Sequence, residues 1–120
     1  MFTRIHSTAI IVKDQEAALE FWGGVLGFEK RLDADMGGMR FLTVAPPGSA
    51  TELVLGTTAM YANGSGVVNG ISFIVDDVDA MFADLSDSVA FIGEPSDMPW
   101  GARGISFHDP DGNMHFVSTE

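Results

Sequence analysis

The sequence predicts an α+β fold built from two βαβββ modules in tandem. Each half of the chain carries the same order of strand-like and helix-like segments. The halves also share short motifs: residues 11–17 (IVKDQEA) match residues 74–80 (IVDDVDA) at a shift of 63, and residues 46–48 (PPG) match residues 110–112 (PDG) at a shift of 64. A repeat at a nearly constant interval is typical of a duplicated structural unit. Because one such sheet leaves a face uncovered, we expect the two modules to pack side by side.

The first module opens with a strand and an amphipathic helix. Residues 5–12 (IHSTAIIV) are mostly apolar and β-branched, which favours a strand. Asp14 is a candidate N-cap, and apolar residues follow it at three- and four-residue spacing, so a helix is predicted that ends near Gly27. Short strands are then predicted at 28–31, 39–45 and 51–56, separated by Gly- and Pro-containing turns.

The second module repeats this order after a loop rich in Gly, Asn, Thr and Ser at 57–69. A strand at 70–75 precedes a helix capped by Asp77, and strands follow at 89–92, 102–108 and 114–118. The last two flank a turn, residues 109–113 (DPDGN), whose Pro, Gly and Asn suit turn geometry. We expect a single domain over 1–120, with module 1 at about 4–57, a loop at 58–68 and module 2 at about 69–118.

Composition excludes several classes of function. The 120-residue chain has 17 acidic and 6 basic residues and a net charge of −11, which disfavours nucleic acid and attracts cations, although such charge also serves solubility alone. The absence of cysteine excludes disulfides, thiolate metal sites and cysteine nucleophiles. Neither a signal-like start nor an apolar run of about 20 residues is present, so we expect a cytoplasmic protein without a membrane partner.

Two groups of residues carry a resemblance to a known family. A Phe-Trp pair in the first helix is followed by Leu26-Gly27-Phe28, and Pro99-Trp100-Gly101-x-Arg103 is followed by the turn 109–113. Over about residues 5–118 the chain resembles the vicinal oxygen chelate (glyoxalase/bleomycin resistance protein/dioxygenase) superfamily, and its bleomycin-resistance-like branch in particular. The resemblance implies a U-shaped mixed sheet with a central cavity and helices on the outside. Its members include isomerases, lyases, dioxygenases and antibiotic-sequestering proteins, so the site must decide the function.

The resemblance also implies where a metal would be held. Two ligand positions precede the helix-capping aspartates by seven residues and fall on Ser7 and Gly70. Two more follow the turn glycines by four residues and fall on Glu52 and Phe116, at intervals that equal the shifts of the repeat. Glu52 alone is a usual ligand, whereas a stable divalent site needs several donors. We therefore expect no metal and no cofactor.

Three histidines are the alternative metal ligands. His6 is one residue from the Ser7 position, so a β-bulge would be needed to bring it to the same face. His108 and His115 flank the turn and could face each other across a hairpin. We expect all three to be ordinary surface or hydrogen-bonded residues.

The remaining candidates line a pocket for a small, partly aromatic or cationic molecule. In bleomycin-resistance-like relatives the loop that holds Trp100 borders the cavity, and an aromatic ring there commonly stacks on the ligand. Arg103 either pairs with an acidic group of the ligand or bridges to surface acid. For any single Met or Phe, ordinary core packing is the more common role. The predicted ligand-binding residues are Ser7, Met39, Phe41, Glu52, Tyr61, Trp100, Arg103 and Phe116.

These features favour metal-independent binding or sequestration of a small molecule such as an antibiotic. The alternative is a lyase, isomerase or dioxygenase-type enzyme that uses Glu52 as its catalytic residue, with or without a divalent metal. A third interpretation is a partner-binding domain with no small-molecule role. We expect a homodimer, because a U-shaped sheet has edges and apolar surface to cover.

Overall fold

The computed structural model describes residues 1–60 and 69–120. The chain divides into two compact units, Met1–Val67 and Val68–Glu120. Each unit contains one four-stranded mixed sheet and follows the order β-α-β-β-β. The predicted α+β fold with two repeated modules is therefore confirmed. Within the described ranges, no helix combines the length and apolar character needed to cross a membrane.

Unit 1 begins with the predicted strand and helix. Its elements are β1 (Ser7–Ile11), α1 (Gln15–Leu19), a π-helical segment (Glu20–Val25), β2 (Glu29–Asp35), β3 (Arg40–Ala45) and β4 (Glu52–Gly56). The sheet order is β1-β4-β3-β2, with β1 parallel to β4 and the other pairs antiparallel. The Asp14 side chain caps α1 by accepting hydrogen bonds from the backbone of Glu16 and Ala17. Gly27, with φ of 79°, follows the helical segment and supplies the left-handed conformation of a helix stop.

Unit 2 repeats the arrangement. Its elements are β5 (Asn69–Ile74), α2 (Val78–Leu85), β6 (Ala90–Asp97), β7 (Arg103–His108) and β8 (Met114–Ser118). The sheet order is β5-β8-β7-β6, again with the first pair parallel. The Asp77 side chain caps α2 by accepting a hydrogen bond from the backbone of Ala80. Strand β6 runs several residues beyond the predicted 89–92 segment.

Each sheet has a helix-facing side and a second side, which we call its open face. In unit 1 the helix-facing side is fully buried and includes Ile10, Leu42, Val44 and Leu55. In unit 2 the ring of Phe82 on α2 packs at 5.1 Å from that of Phe91, which places the side holding Phe91 and Phe107 against the helix. The strand registers then define the open faces. The unit 1 open face includes Ser7, Ala9, Phe41, Thr43, Glu52 and Val54, and the unit 2 open face includes Ser72, Ile74, Ile92, Gly104, Ser106, Met114 and Phe116.

An arginine ties the helix to the sheet at the same place in each unit. Arg40 begins β3 and pairs with Glu16 at the start of α1, at 2.5 Å. Arg103 begins β7 and pairs with Asp79 at the start of α2, at 2.7 Å. Each guanidinium also contacts a carboxylate on the neighbouring edge strand. The two ion-pair clusters lie 63 residues apart, which extends the repeat to positions that the short motifs do not include.

The last strand of each unit follows a different interval. Ile11 pairs with Gly56 in unit 1, and its equivalent Ile74 pairs with Ser118 in unit 2, so β4 and β8 are related by a shift of 62. The reason is that the β7–β8 connection is one residue shorter than the β3–β4 connection. The match of residues 46–48 to 110–112 at a shift of 64 is therefore out of structural register.

Candidate functional site

A buried threonine orients the carboxylate of the unit 1 open face. Glu52 begins β4 opposite Ser7 of β1, and both are partly exposed. The hydroxyl of Thr43 donates to Oε1 of Glu52 at 2.7 Å and accepts the backbone N–H of Leu32 at 3.1 Å. Because Thr43 is fully buried, it holds the carboxylate in one orientation. Sequence reasoning missed Thr43, since its only signal is its place in an alternating strand whose partners the sequence does not specify.

Two further predicted residues lie on or beside this face. Phe41 is partly buried and precedes Thr43 by two residues on β3, so both side chains share the open face. Met39 is 40% exposed and lies at the tip of the β2–β3 hairpin, where its carbonyl accepts the backbone N–H of Met36. Unit 1 therefore brings Ser7, Phe41 and Glu52 onto one face, with Met39 at the hairpin that leads into it.

The unit 2 open face brings together the two predicted aromatic residues. Trp100 lies in the turn between β6 and β7, which closes through a 2.7 Å hydrogen bond from the Met98 backbone to that of Ala102. Its ring is 6.4 Å from that of Phe116 at an interplanar angle of 62°, which is an edge-to-face contact. Phe116 is partly buried, but Trp100 is 69% exposed. The pair therefore offers an aromatic surface to solvent.

Arg103 is engaged by acidic side chains of its own unit. Its guanidinium donates two hydrogen bonds to Asp79, at 2.7 and 3.0 Å, and one to Asp97 at 3.2 Å. These hydrogen bonds, with Asp79 the stronger contributor, raise the pKa of Arg103, and Arg103 in turn lowers the pKa of Asp79. Of the two roles considered for Arg103, the bridge to surface acid is the one present, and binding of a ligand by Arg103 stays a prediction.

The histidines do not form a cluster. His6 is exposed, and its carbonyl accepts the Glu52 backbone N–H. His108 is also exposed and lies opposite Met114, whereas His115 lies opposite Phe107 on the helix-facing side. The expectation that His108 and His115 face each other was wrong, because the register of β7 and β8 puts them on opposite sides of the sheet.

His115 belongs to a buried network that holds the 109–113 turn. Its Nε2 lies 3.0 Å from Oδ2 of Asp109, and both side chains are fully buried. Asp109 also accepts the backbone N–H groups of Asp111 and Asn113 and the side-chain amide of Asn113. The turn motif is thus built around one carboxylate, which gives it a structural role.

The implied metal positions do not fit a divalent ion. Ser7, Gly70 and Glu52 supply one carboxylate among them, and Gly70, with φ of 97°, lies at a bulge of β5. The expected symmetry of Glu52 with Phe116 was wrong: at the shift of 62, Glu52 corresponds to Met114. Neither Met114 nor Phe116 is a usual ligand for such an ion. Across residues 1–60 and 69–120 there is no group of three or more His, Cys, Asp or Glu side chains arranged to hold a metal.

The predicted residue Tyr61 lies outside the described residues, so its part in the site stays a prediction.

Comparison with known proteins assigns the chain to a family. The model of the Glyoxalase/Bleomycin resistance protein/Dioxygenase superfamily matches residues 4–115. The chain belongs to this superfamily. A superfamily member from Sphaerobacter thermophilus DSM 20745 has a crystal structure that aligns with a TM-score of 0.90 at 43% identity, covering 99% of this chain and 98% of that one. The resemblance drawn from the sequence motifs is thereby confirmed.

Two other relatives cover nearly the whole superfamily domain. TnmS3, an antibiotic binding protein from Streptomyces sp. CB03234, aligns with a TM-score of 0.90 at 34% identity, covering 98% of this chain and 96% of that one. The uncharacterized protein YetH of Bacillus subtilis (strain 168) is 34% identical over 119 residues, 98% of each chain. The superfamily thus includes a similar protein that binds an antibiotic.

Proposed function

We propose that this protein binds a small, partly aromatic molecule on the unit 2 open face, without a metal and without turning it over. The carrying observation is the exposed Trp100, whose ring is braced by the edge-to-face contact with Phe116. A large indole that is 69% exposed leaves apolar area in water, which a stacked ligand would cover.

The charge of unit 2 favours a cationic ligand. Residues 69–120 contain ten Asp and Glu residues and a single basic residue, Arg103, so they carry most of the negative charge of the chain. Acidic surroundings raise the local concentration of cations, and a cation over an indole face gains about 0.5–2 kcal/mol. The similarity to the antibiotic binding protein TnmS3 also supports a binding role and makes antibiotics the first compounds to screen.

Calorimetric titration with proflavine, a planar aromatic cation, tests this proposal. We expect saturable binding that weakens about tenfold in Trp100→Ala, since loss of a stacking partner of about 1.4 kcal/mol is a tenfold change. The control is Met36→Ala, which removes another exposed apolar side chain, 57% exposed, from the unit 1 hairpin and should not change the affinity. Affinity no better than millimolar for proflavine and for a panel of planar antibiotics, or equal affinity in both variants, would overturn the proposal.

The second candidate function is catalysis by Glu52. The observation that favours it is the hydrogen bond from Thr43, which fixes one carboxylate oxygen and would position a general base. The assay is turnover of substrates of the superfamily's isomerase and lyase classes by the wild type and by Glu52→Gln, which keeps the shape and removes the base. Loss of measurable turnover would support catalysis, and equal turnover would remove Glu52 from the mechanism.

We further propose that the protein acts in the cytoplasm as a homodimer. A second copy would cover exposed sheet edges and apolar side chains such as Ile74, which is 56% exposed. Light scattering on the purified chain should report twice the mass of one chain. A single-chain mass at micromolar concentration would refute the dimer and leave the binding proposal standing.

A further inference from the structure

The ring of Phe116 occupies the place of a side chain that Gly104 lacks. On the unit 2 open face Phe116 pairs with Ser106, and Gly104 pairs with Ser118, so Gly104 is the diagonal neighbour of Phe116. A Cβ added to Gly104 would lie 2.4 Å from Cζ and 3.0 Å from Cε1 of Phe116. The ring therefore extends diagonally across β7 and lies over the glycine.

Backbone geometry does not explain this glycine. Eight other glycines have a positive φ, including Gly70 and Gly101, but Gly104 is not one of them. A glycine inside a strand weakens it and often marks a close approach of another group. The close approach here is that of the aromatic ring, so the space is what the position provides.

Unit 1 shows that the fold does not require a glycine at this position. The equivalent of Gly104 in β3, 63 residues earlier, is Phe41, and the equivalent of Phe116 in β4 is Val54. The bulky and the small side chain are therefore exchanged between the two strands. The arrangement in which a ring lies over a glycine belongs to unit 2 alone.

The direction of the ring decides what the open face offers to a ligand. Because the ring extends toward Gly104, it meets the Trp100 ring edge-to-face. Ser72, which pairs with Phe116 on the other side, stays exposed. A ring turned away from Gly104 would lose its contact with Trp100 and stand over the serines.

We propose that Gly104 is a positioning residue that sets the ring orientation of Phe116, and through it the stacking surface of Trp100, for a planar aromatic ligand. This inference rests on the proposed binding function. Gly104 does not touch the ligand. It acts by leaving room for the ring, so any side chain at position 104 changes the ligand surface.

A double-mutant cycle tests this inference on the whole protein. The variants are Gly104→Ala, Phe116→Leu and the double variant, in which the shorter leucine leaves room for the new methyl group. One readout is the fluorescence quenched by acrylamide, which reports Trp100, 69% exposed, and not Trp22, 1% exposed. The other readout is the affinity for proflavine.

We expect Gly104→Ala to shift the quenchable emission and to weaken proflavine binding about tenfold. In the Phe116→Leu background the same change should alter the affinity by less than twofold, because the ring through which it acts is gone. Equal effects of Gly104→Ala in both backgrounds, or no effect in the wild type, would overturn the inference. Should Gly104→Ala fail to fold, refolding of the double variant supports it, and failure of both variants refutes it.

The control is Gly23→Ala. A Cβ there would meet its nearest atom, the Phe28 carbonyl oxygen, at an ordinary 3.5 Å, so the quenchable emission should not change. If proflavine does not bind the wild type, the proposed function fails, and the emission cycle still decides the role of Gly104.

Discussion

The buried carboxylate of Asp109 should be a main determinant of the stability of unit 2. It accepts hydrogen bonds from the backbone of Asp111 and Asn113, from the Asn113 amide and from the His115 ring nitrogen as drawn by its 3.0 Å contact. Asn113 is fully buried and His115 is 1% exposed, so water cannot readily replace the lost acceptor. The change to test is Asp109→Ala.

The expected cost follows from the donors that lose their partner. A buried donor without an acceptor costs about 1–3 kcal/mol. Asn113 alone supplies two such donors, from its backbone and its side chain. We therefore expect Asp109→Ala to lower the free energy of unfolding by about 3 kcal/mol, a large part of the roughly 5–15 kcal/mol that stabilises a domain.

Urea denaturation followed by far-UV circular dichroism measures this loss. Asp109→Asn should cost less, because it keeps one carbonyl oxygen for the backbone donors. The matched control is Asp87→Ala, an exposed aspartate after α2, which should change the free energy of unfolding by less than about 0.5 kcal/mol. If Asp109→Ala and Asp87→Ala have the same small effect, the network does not hold the turn and the reasoning fails.

Two further predictions concern unit 1. The hydrogen bond from Arg40 lowers the pKa of Asp33 from 3.8 to about 2. Because the folded value is the lower one, this stabilisation is complete above about pH 4 and is lost as the pH falls toward 2, and in Arg40→Gln a carboxyl NMR titration should return the pKa toward 3.8. Gly27→Ala should cost about 1 kcal/mol in urea denaturation because its φ is 79°, whereas Gly23→Ala should be neutral or stabilising, and equal costs would contradict this explanation.

The elements of the fold were predictable because local signals agree with one another. Asp14 and Asp77 cap helices at the predicted places, and the strand segments fall within a few residues of their predicted bounds. The repeat at 63 residues also predicted the pairing of the two modules with each other in sequence. These signals depend on neighbours within about ten residues, which a single sequence displays directly.

The site was less predictable because it depends on strand register. The sequence placed Glu52 and Phe116 in equivalent positions through their turn glycines, but a connection one residue shorter in unit 2 moves the equivalence to Met114. The same dependence made His108 and His115 appear to face each other. The hydrogen bond between Thr43 and Glu52 joins two strands, and nothing local to either residue announces it.

The glycine beneath the Phe116 ring shows the same limit in another form. Gly104 has no turn signal on either side, and its reason lies on the adjacent strand. The chemistry of Trp100 could be predicted from its motif, but the orientation of its partner could not.

The change of interval between the halves, from 63 residues in most elements to 62 in the last strand, has a consequence for engineering. The helix-facing sides stay apolar at equivalent positions, as with Leu42 and Ile105, while the open faces differ at nearly every site. Each open face can therefore be randomised separately, with the helix-facing residues kept constant as a shared scaffold. A library confined to the open face of one unit would change what the protein recognises while drawing on the stability of side chains that it leaves untouched.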